Sequence, residues 1–247
     1  MLSIIIPAYN EENCIKPVYK AISSLLAENN IENEFIFVDD GSQDQTYEKI
    51  SELSREKDNI IGLHFSRNFG KESAISAGLS AVNGDCAVVI DCDLQHPPEK
   101  IVEMYHLWEQ GFEIVEGIKR ERGQEKKMHS IGAKFFYSFI SRMAGFDMAN
   151  SSDFKLLDRK VVEVLNKMPE RGFFRAISYW VGYNKAIVEY DVRERVDGES
   201  KWSTKGLLKY ALSNISSYST APMQTVTVLG FVMLIISVIF GVWALID

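Results

Sequence analysis

Val88-Val89-Ile90-Asp91-Cys92-Asp93-Leu94-Gln95-His96-Pro97-Pro98 runs a short apolar stretch directly into two carboxylates, and the reading of the whole chain turns on it. Consecutive β-branched residues bounded by polar and proline positions predict a buried strand. On an extended backbone residues i and i+2 share a face, so Asp91 and Asp93 are expected to address one hard cation. Mg²⁺ or Mn²⁺ held by one or two carboxylates takes its other oxygen ligands from a diphosphate and water, and so neutralises a departing diphosphate. Two acidic residues at this spacing recur by chance in many chains. The position at the end of a buried-type strand is what gives the pair weight.

Outward from this stretch, short apolar runs alternate with amphipathic segments, the pattern of β-α-β units and a mainly parallel sheet. Strands are expected at Ser3 to Ile6, Phe35 to Val38, Ile60 to Phe65, Ala87 to Ile90 and Glu113 to Val115. Helices are expected at Glu12 to Glu28, Asp44 to Lys57, Lys71 to Val82 and Pro98 to Gln110. Ligands of such sheets bind beyond the carboxyl ends of the strands, where Pro7-Ala8-Tyr9-Asn10-Glu11-Glu12 and Val38-Asp39-Asp40-Gly41-Ser42-Gln43-Asp44 also fall. The first turn offers backbone N–H groups, Asn10 and the Glu11 carboxylate to a ligand, or simply caps the next helix. In the second, neighbouring side chains leave a strand on opposite faces, so Asp39 and Asp40 are expected to divide the work. One faces a nucleotide and the other braces the loop, unless both only serve the turn.

Together, Pro7-Ala8-Tyr9-Asn10-Glu11, Val38-Asp39-Asp40-Gly41-Ser42, Ser66-Arg67-Asn68-Phe69-Gly70-Lys71 and Asp91-Cys92-Asp93-Leu94-Gln95 resemble the successive motifs of inverting family-2 glycosyltransferases with a GT-A nucleotide-diphospho-sugar transferase fold. Their order and the Arg-Asn-Phe-Gly-Lys segment are similar to the branch of dolichyl-phosphate mannose synthase and bacterial polyprenyl-phosphate glycosyltransferases. The resemblance implies a nucleoside-diphosphate sugar (UDP favoured), a divalent metal on Asp91 and Asp93, and inversion at the anomeric carbon. It implies nucleotide-sugar contacts from Pro7, Tyr9, Asn10, Glu11, Asp40, Lys71, Asp91 and Asp93. Asn150-Ser151-Ser152-Asp153 resembles the acceptor-side motif, making Asp153 a catalytic candidate beside Asp93. A phosphate acceptor is already largely ionised at neutral pH, so Asp153 is expected to position metal or acceptor as much as to act as a base. Arg193, Arg195, Ser200 and Lys201 are expected to hold the polyprenyl phosphate, Arg by paired hydrogen bonds and Lys as a point charge; a solvated charge run is the plain alternative. Relatives of the bacterial branch commonly carry two membrane spans, whereas one is legible here.

That span is Val226 to Ile246, 21 residues without charge. As a helix it would be about 31 Å long, close to the ~30 Å hydrocarbon core of a bilayer. Lys201, Lys205 and Lys209 precede it, which by the positive-inside tendency puts the catalytic part on the cytosolic face of the cell membrane. The expected organisation is a catalytic domain over 1–202, a juxtamembrane amphipathic segment over 203–222 and a transmembrane helix over 223–247. Between Lys119 and Lys134 six Lys/Arg stand against two Glu, leading into a stretch from Ile131 to Gly145 with apolar residues at helical spacing, either interfacial or packed on the domain. Arg171 and Arg175, flanking Phe173-Phe174, are read as headgroup-level cations. A net charge of -7 argues against a nucleic-acid partner. Three cysteines without CxxC spacing read as reduced and structural, and the four histidines lack ligand spacing. Homo-oligomerisation stays open. Polysaccharide elongation is the alternative activity, although the Gln-x-x-Arg-Trp string of processive relatives is missing; a membrane-tethered, non-catalytic nucleotide-sugar binder is the alternative class.

Overall fold

The computed structural model describes residues 1–120, 152–168, 174–191 and 221–246. In chain order these form β1 (Leu2–Ala8), α1 (Ile15–Glu28), β2 (Asn33–Asp39), α2 (Thr46–Glu56), β3 (Ile60–His64), α3 (Lys71–Ser80), β4 (Cys86–Val89), α4 (Glu99–Glu109), β5 (Ile114–Lys119), β6 (Lys155–Asp158), α5 (Arg159–Lys167), α6 (Phe174–Trp180), β7 (Lys185–Tyr190) and α7 (Ala221–Ile246). The strands make one seven-stranded sheet in the order β3-β2-β1-β4-β6-β5-β7. Only β6 runs against its neighbours, pairing antiparallel with both β4 and β5, so the expected mainly parallel sheet is present. Strands β6 and β7 are additions to the sequence expectation.

Period-2 alternation builds the three layers. In β1, Leu2, Ile4 and Ile6 join one apolar cluster with α1 residues Ile15, Val18 and Ile22 and α4 residues Ile101 and Met104. Ile5 points to the other face, packing with Ala74, Ile75 and Leu79 of α3 and Val161 and Val162 of α5. Strands β1, β2 and β4 are therefore apolar on both sides, as parallel strands covered by helices must be, while the edge strand β3 is partly exposed. Pro7 fits inside β1 because the ladder to β4 ends at Ile5↔Val89, leaving no partner there for the N–H that proline lacks.

Helix α3 lies very close to β1. A Cβ at Gly78 would stand 2.3 Å from Ile5 Cγ2. Gly78→Ala is therefore expected to cost about 1–3 kcal/mol by overpacking, despite alanine's better helix propensity. A thermal melt equal to or above wild type would show that the interface can give.

The side chains of α7 described from Val226 to Trp243 are exposed, with none of this stretch buried in the protein. Its length and composition are enough to cross a membrane. It starts at Ala221, two residues before the expected boundary.

Candidate active site

The loops following β1 and β2 are stitched together. Asn10 takes φ 53°, a left-handed conformation that asparagine tolerates better than most residues. Its backbone N–H donates to Ser42 Oγ at 2.8 Å and its Oδ1 accepts from Gln43 N at 2.8 Å. Glu11 N donates to Thr46 Oγ1 at 2.8 Å, and Gln45 N to Glu12 Oε2 at 3.1 Å. Gly41, at φ 68°, passes so near the Arg67 backbone that any Cβ would collide with it. The Tyr9–Glu12 turn is thus fixed at the carboxyl edge by its neighbour, with Pro7 at the end of β1 below it.

Asp39 and Asp40 do divide their work, but both brace loops. Asp39 accepts from Ser42 Oγ and pairs with His64 Nδ1 at 2.6 Å, under the stacked rings of Tyr47 and His64. Asp40, expected at the nucleotide, is buried, its carboxylate accepting from Phe69 N at 2.7 Å and Gly70 N at 2.9 Å. Burial raises its pKa against those hydrogen bonds. Those hydrogen bonds tie down the loop that leads into Lys71.

A correction concerns Asp91 and Asp93. Strand β4 ends at Val89, and the two carboxylates lie on a turn in which Leu94 has φ 56°. The shared-face argument from an extended backbone therefore does not apply. Asp93 Oδ1 accepts from Gln95 N at 3.1 Å, an Asx-type contact that shapes the turn. Among the described residues no group of three or more His, Cys, Asp or Glu is arranged to hold a metal. Hard carboxylate oxygens at the sheet's carboxyl edge still form a donor set that suits Mg²⁺ or Mn²⁺, provided phosphate and water complete the shell.

Asp153 joins them by register. Val89 at the end of β4 pairs antiparallel with Lys155 at the start of β6. The residue two beyond Val89, Asp91, and the residue two before Lys155, Asp153, are thereby brought together. Lys71, the first residue of α3, stands between them, its Nζ 2.6 Å from Asp91 Oδ1 and 2.8 Å from Asp153 Oδ2. Arg175 of α6 closes the row with a two-pronged contact to Asp153, Nε to Oδ1 at 2.8 Å and Nη2 to Oδ2 at 2.9 Å. Burial pushes the Asp153 carboxyl up, yet Lys71 and Arg175 overcome it and hold the group far below the usual carboxylate range. Asp91 is likewise lowered, burial being outweighed chiefly by Lys71. Lys71 is raised, because the two carboxylates outweigh its desolvation.

Arg175 is therefore a member of the site and not a headgroup cation. Sequence reasoning also missed His96, whose ring packs against Phe154 at 4.9 Å and Tyr190 at 5.3 Å between centroids. Its buried Nδ1 has no hydrogen-bond partner, and burial lowers its pKa. The position next to Asp91-Cys92-Asp93 was the available sign. A buried node supports Asp153 from beneath: Glu116 accepts from Ser152 N at 3.0 Å, pairs with Lys155 at 3.2 Å and contacts Lys185. Lys155 also donates to Ser178 Oγ at 2.7 Å on the helix that carries Arg175. Arg193, Arg195, Ser200, Lys201, Arg171, the Ile131 to Gly145 stretch and the 203–220 segment lie outside the described residues.

A parallel α/β sheet with one reversed strand, gathering carboxylates and a lysine at its carboxyl edge, defines a sugar-nucleotide transferase fold of the GT-A type. Glucosyl-3-phosphoglycerate synthase of Mycobacterium tuberculosis, solved with UDP, superposes with a TM-score of 0.64 at 20% identity, over 88% of this chain and 78% of that one. The model of the family "Glycosyl transferase family 2" matches residues 3–165, and the chain belongs to that family. It is 36% identical to the bactoprenol glucosyl transferase of Shigella phage SfV over 100% of this chain and 81% of that protein. An uncharacterized glycosyltransferase of Synechocystis sp. is 37% identical over 97% of this chain and 76% of that protein.

Proposed function

We propose that this glycosyltransferase moves a sugar from a nucleoside-diphosphate sugar, UDP favoured, to polyprenyl phosphate at the cytosolic face of the cell membrane. The observation that carries the reading is the Asp91–Lys71–Asp153–Arg175 row in a chain similar along its whole length to bactoprenol glucosyl transferases. An acceptor phosphate oxygen attacks the anomeric carbon while the bond to the β-phosphate oxygen breaks, with inversion, and the nucleoside diphosphate leaves. Asp91 and Asp93 would hold Mg²⁺ or Mn²⁺, which supplies Lewis-acid neutralisation of the leaving diphosphate; a glucosyl-3-phosphoglycerate synthase solved with Mn²⁺ and UDP shares the fold. Pro7, Tyr9, Asn10 and Glu11 are assigned to the nucleotide, on the turn fixed by Ser42 and Thr46. Arg193, Arg195, Ser200 and Lys201 are assigned to the lipid phosphate, which α7 would present at the bilayer surface.

Asp153 is assigned to orienting cations around the reacting phosphates. A carboxyl held so low is a poor proton acceptor, and a phosphate monoester at neutral pH needs none removed.

The detergent-solubilised chain, given nucleotide sugars and undecaprenyl phosphate, is expected to yield a lipid-linked sugar detectable by mass spectrometry. Asp91→Asn and Asp93→Asn should each lower that yield by about 10²-fold or more. Products found only on soluble glycans would replace this reading with polysaccharide elongation. Full yield from both variants would remove the metal assignment.

A further inference from the structure

Two carboxylates of the site differ in how many cations they have. Asp153 is gripped on both oxygens by Arg175 and touched by Lys71 as well. Asp91 has Lys71 as its ion-pair partner among the described residues, at 2.6 Å. Removing Lys71 would leave Asp153 paired and Asp91 exposed to any other cation.

The two cations also differ in mobility. Arg175 presents a planar fork locked into two parallel hydrogen bonds, whereas Lys71 is a point charge on a flexible stem, free to change partners. It begins α3 directly after Gly70, whose N–H is held by Asp40. The backbone at this point is tied to Asp40, while the ammonium reaches Asp91 and Asp153 on a flexible stem. A divalent ion on Asp91 would meet that ammonium on the same carboxylate, and like charges at this range oppose each other strongly. Asp91, Asp93 and Asp153 against Lys71 and Arg175 leave the cluster one formal negative charge, enough for a cation of charge one but overfilled by a divalent ion. An arriving diphosphate reverses that balance and offers the displaced ammonium a new partner.

We infer that Lys71 is a resident counter-ion of Asp91, which must be displaced before a divalent metal binds there, so that metal and nucleoside diphosphate are captured together. This rests on the reading of Asp91 and Asp93 as the metal-holding pair. Lys71 bars free metal and then swings to the phosphate.

The test is Mn²⁺ binding, followed by electron paramagnetic resonance on the detergent-solubilised full chain, with and without UDP or GDP. Wild type is expected to bind Mn²⁺ weakly alone and much more tightly with the diphosphate. Lys71→Met should bind Mn²⁺ alone about tenfold more tightly, the size of effect one charge has on a neighbour at this range. It should also lose most of the gain from nucleotide, while Lys71→Arg keeps the wild-type pattern. Lys71→Gln serves where the methionine variant melts early. Mn²⁺ affinity unchanged or weakened in both neutral variants would overturn the inference while leaving the metal site standing. Failure of wild type to take up Mn²⁺ even with nucleotide, with Asp91→Asn no different, would instead remove the underlying metal reading and the inference with it.

Discussion

Asp153→Asn is expected to reduce kcat for lipid-linked sugar formation by about 10²–10³-fold, the usual scale for losing one oriented electrostatic contact at a reacting centre. The amide keeps the shape but cannot neutralise Lys71 and Arg175, both within 2.9 Å of the carboxylate. Donor KM should move only a few-fold, because the nucleotide turn beyond β1 is held by Ser42 and Thr46 and not by Asp153. The variant should also melt lower, because Lys71 and Arg175 lose a buried partner, so kcat is compared at a temperature where both proteins are folded. The pH profile separates this role from general-base catalysis. With its folded pKa far below the usual range, Asp153 is ionised throughout neutral and mildly acid pH and contributes no limb there. Acid loss of activity should follow the acceptor phosphate, near pH 6, in both proteins. An acid limb present in wild type and gone in Asp153→Asn would make Asp153 the base.

The second large effect is on stability. Glu116→Ala leaves Lys155, fully buried, without its carboxylate and Lys185 without a partner contact, and is expected to cost about 3–5 kcal/mol. For a chain of this size that is a fall in Tm on the order of 10 °C. The dependence on pH has a defined sign. Burial first, then the neighbouring Lys185, bring the folded pKa of Lys155 down to about 8 against Glu116's opposing pull. The unfolded chain then holds more protons than the folded one between about 8 and the ordinary lysine value, so stability rises with pH across that window and is flat below it. Without Glu116 the folded value drops further, and the rise should start well below pH 8. Glu116 itself is held low, with burial outweighed chiefly by Lys155 and then Lys185, so wild type loses its contribution as pH falls below the ordinary carboxylate range and the variant does not. Thermal melts of both proteins from about pH 3 to about pH 10, spanning the ordinary carboxylate and lysine values, check each direction; parallel curves would refute the account.

The parallel half of the sheet was legible because its strands are buried on both faces, and runs such as Phe35-Ile36-Phe37-Val38 announce that directly. The motif turns were legible for the same reason: polar residues stand out at the end of apolar runs. What was not legible depends on pairings far apart in the chain. Strand β6 is only Lys155–Asp158 and begins with a charge, so no local pattern marks it. Its register alone brings Asp153 to Asp91, and α6 brings Arg175 to Asp153. Lys155 and Glu116 look like solvated charges in sequence and are among the most buried side chains in the fold. The Asp-x-Asp argument assumed an extended backbone, which the turn at Leu94 replaces.

Reversal of β6 has an evolutionary consequence. Because Val89↔Lys155 and Glu116↔Lys155 fix β6 on both sides, Asp153 is located by the sheet and not by the chain that leads to it. Changes of length in the connection from β5 to β6 are therefore expected to leave the carboxylate in place so long as both pairings hold. A one-residue slip within β6, by contrast, would send Phe154 where Asp153 belongs and turn every side chain of the strand to the wrong face.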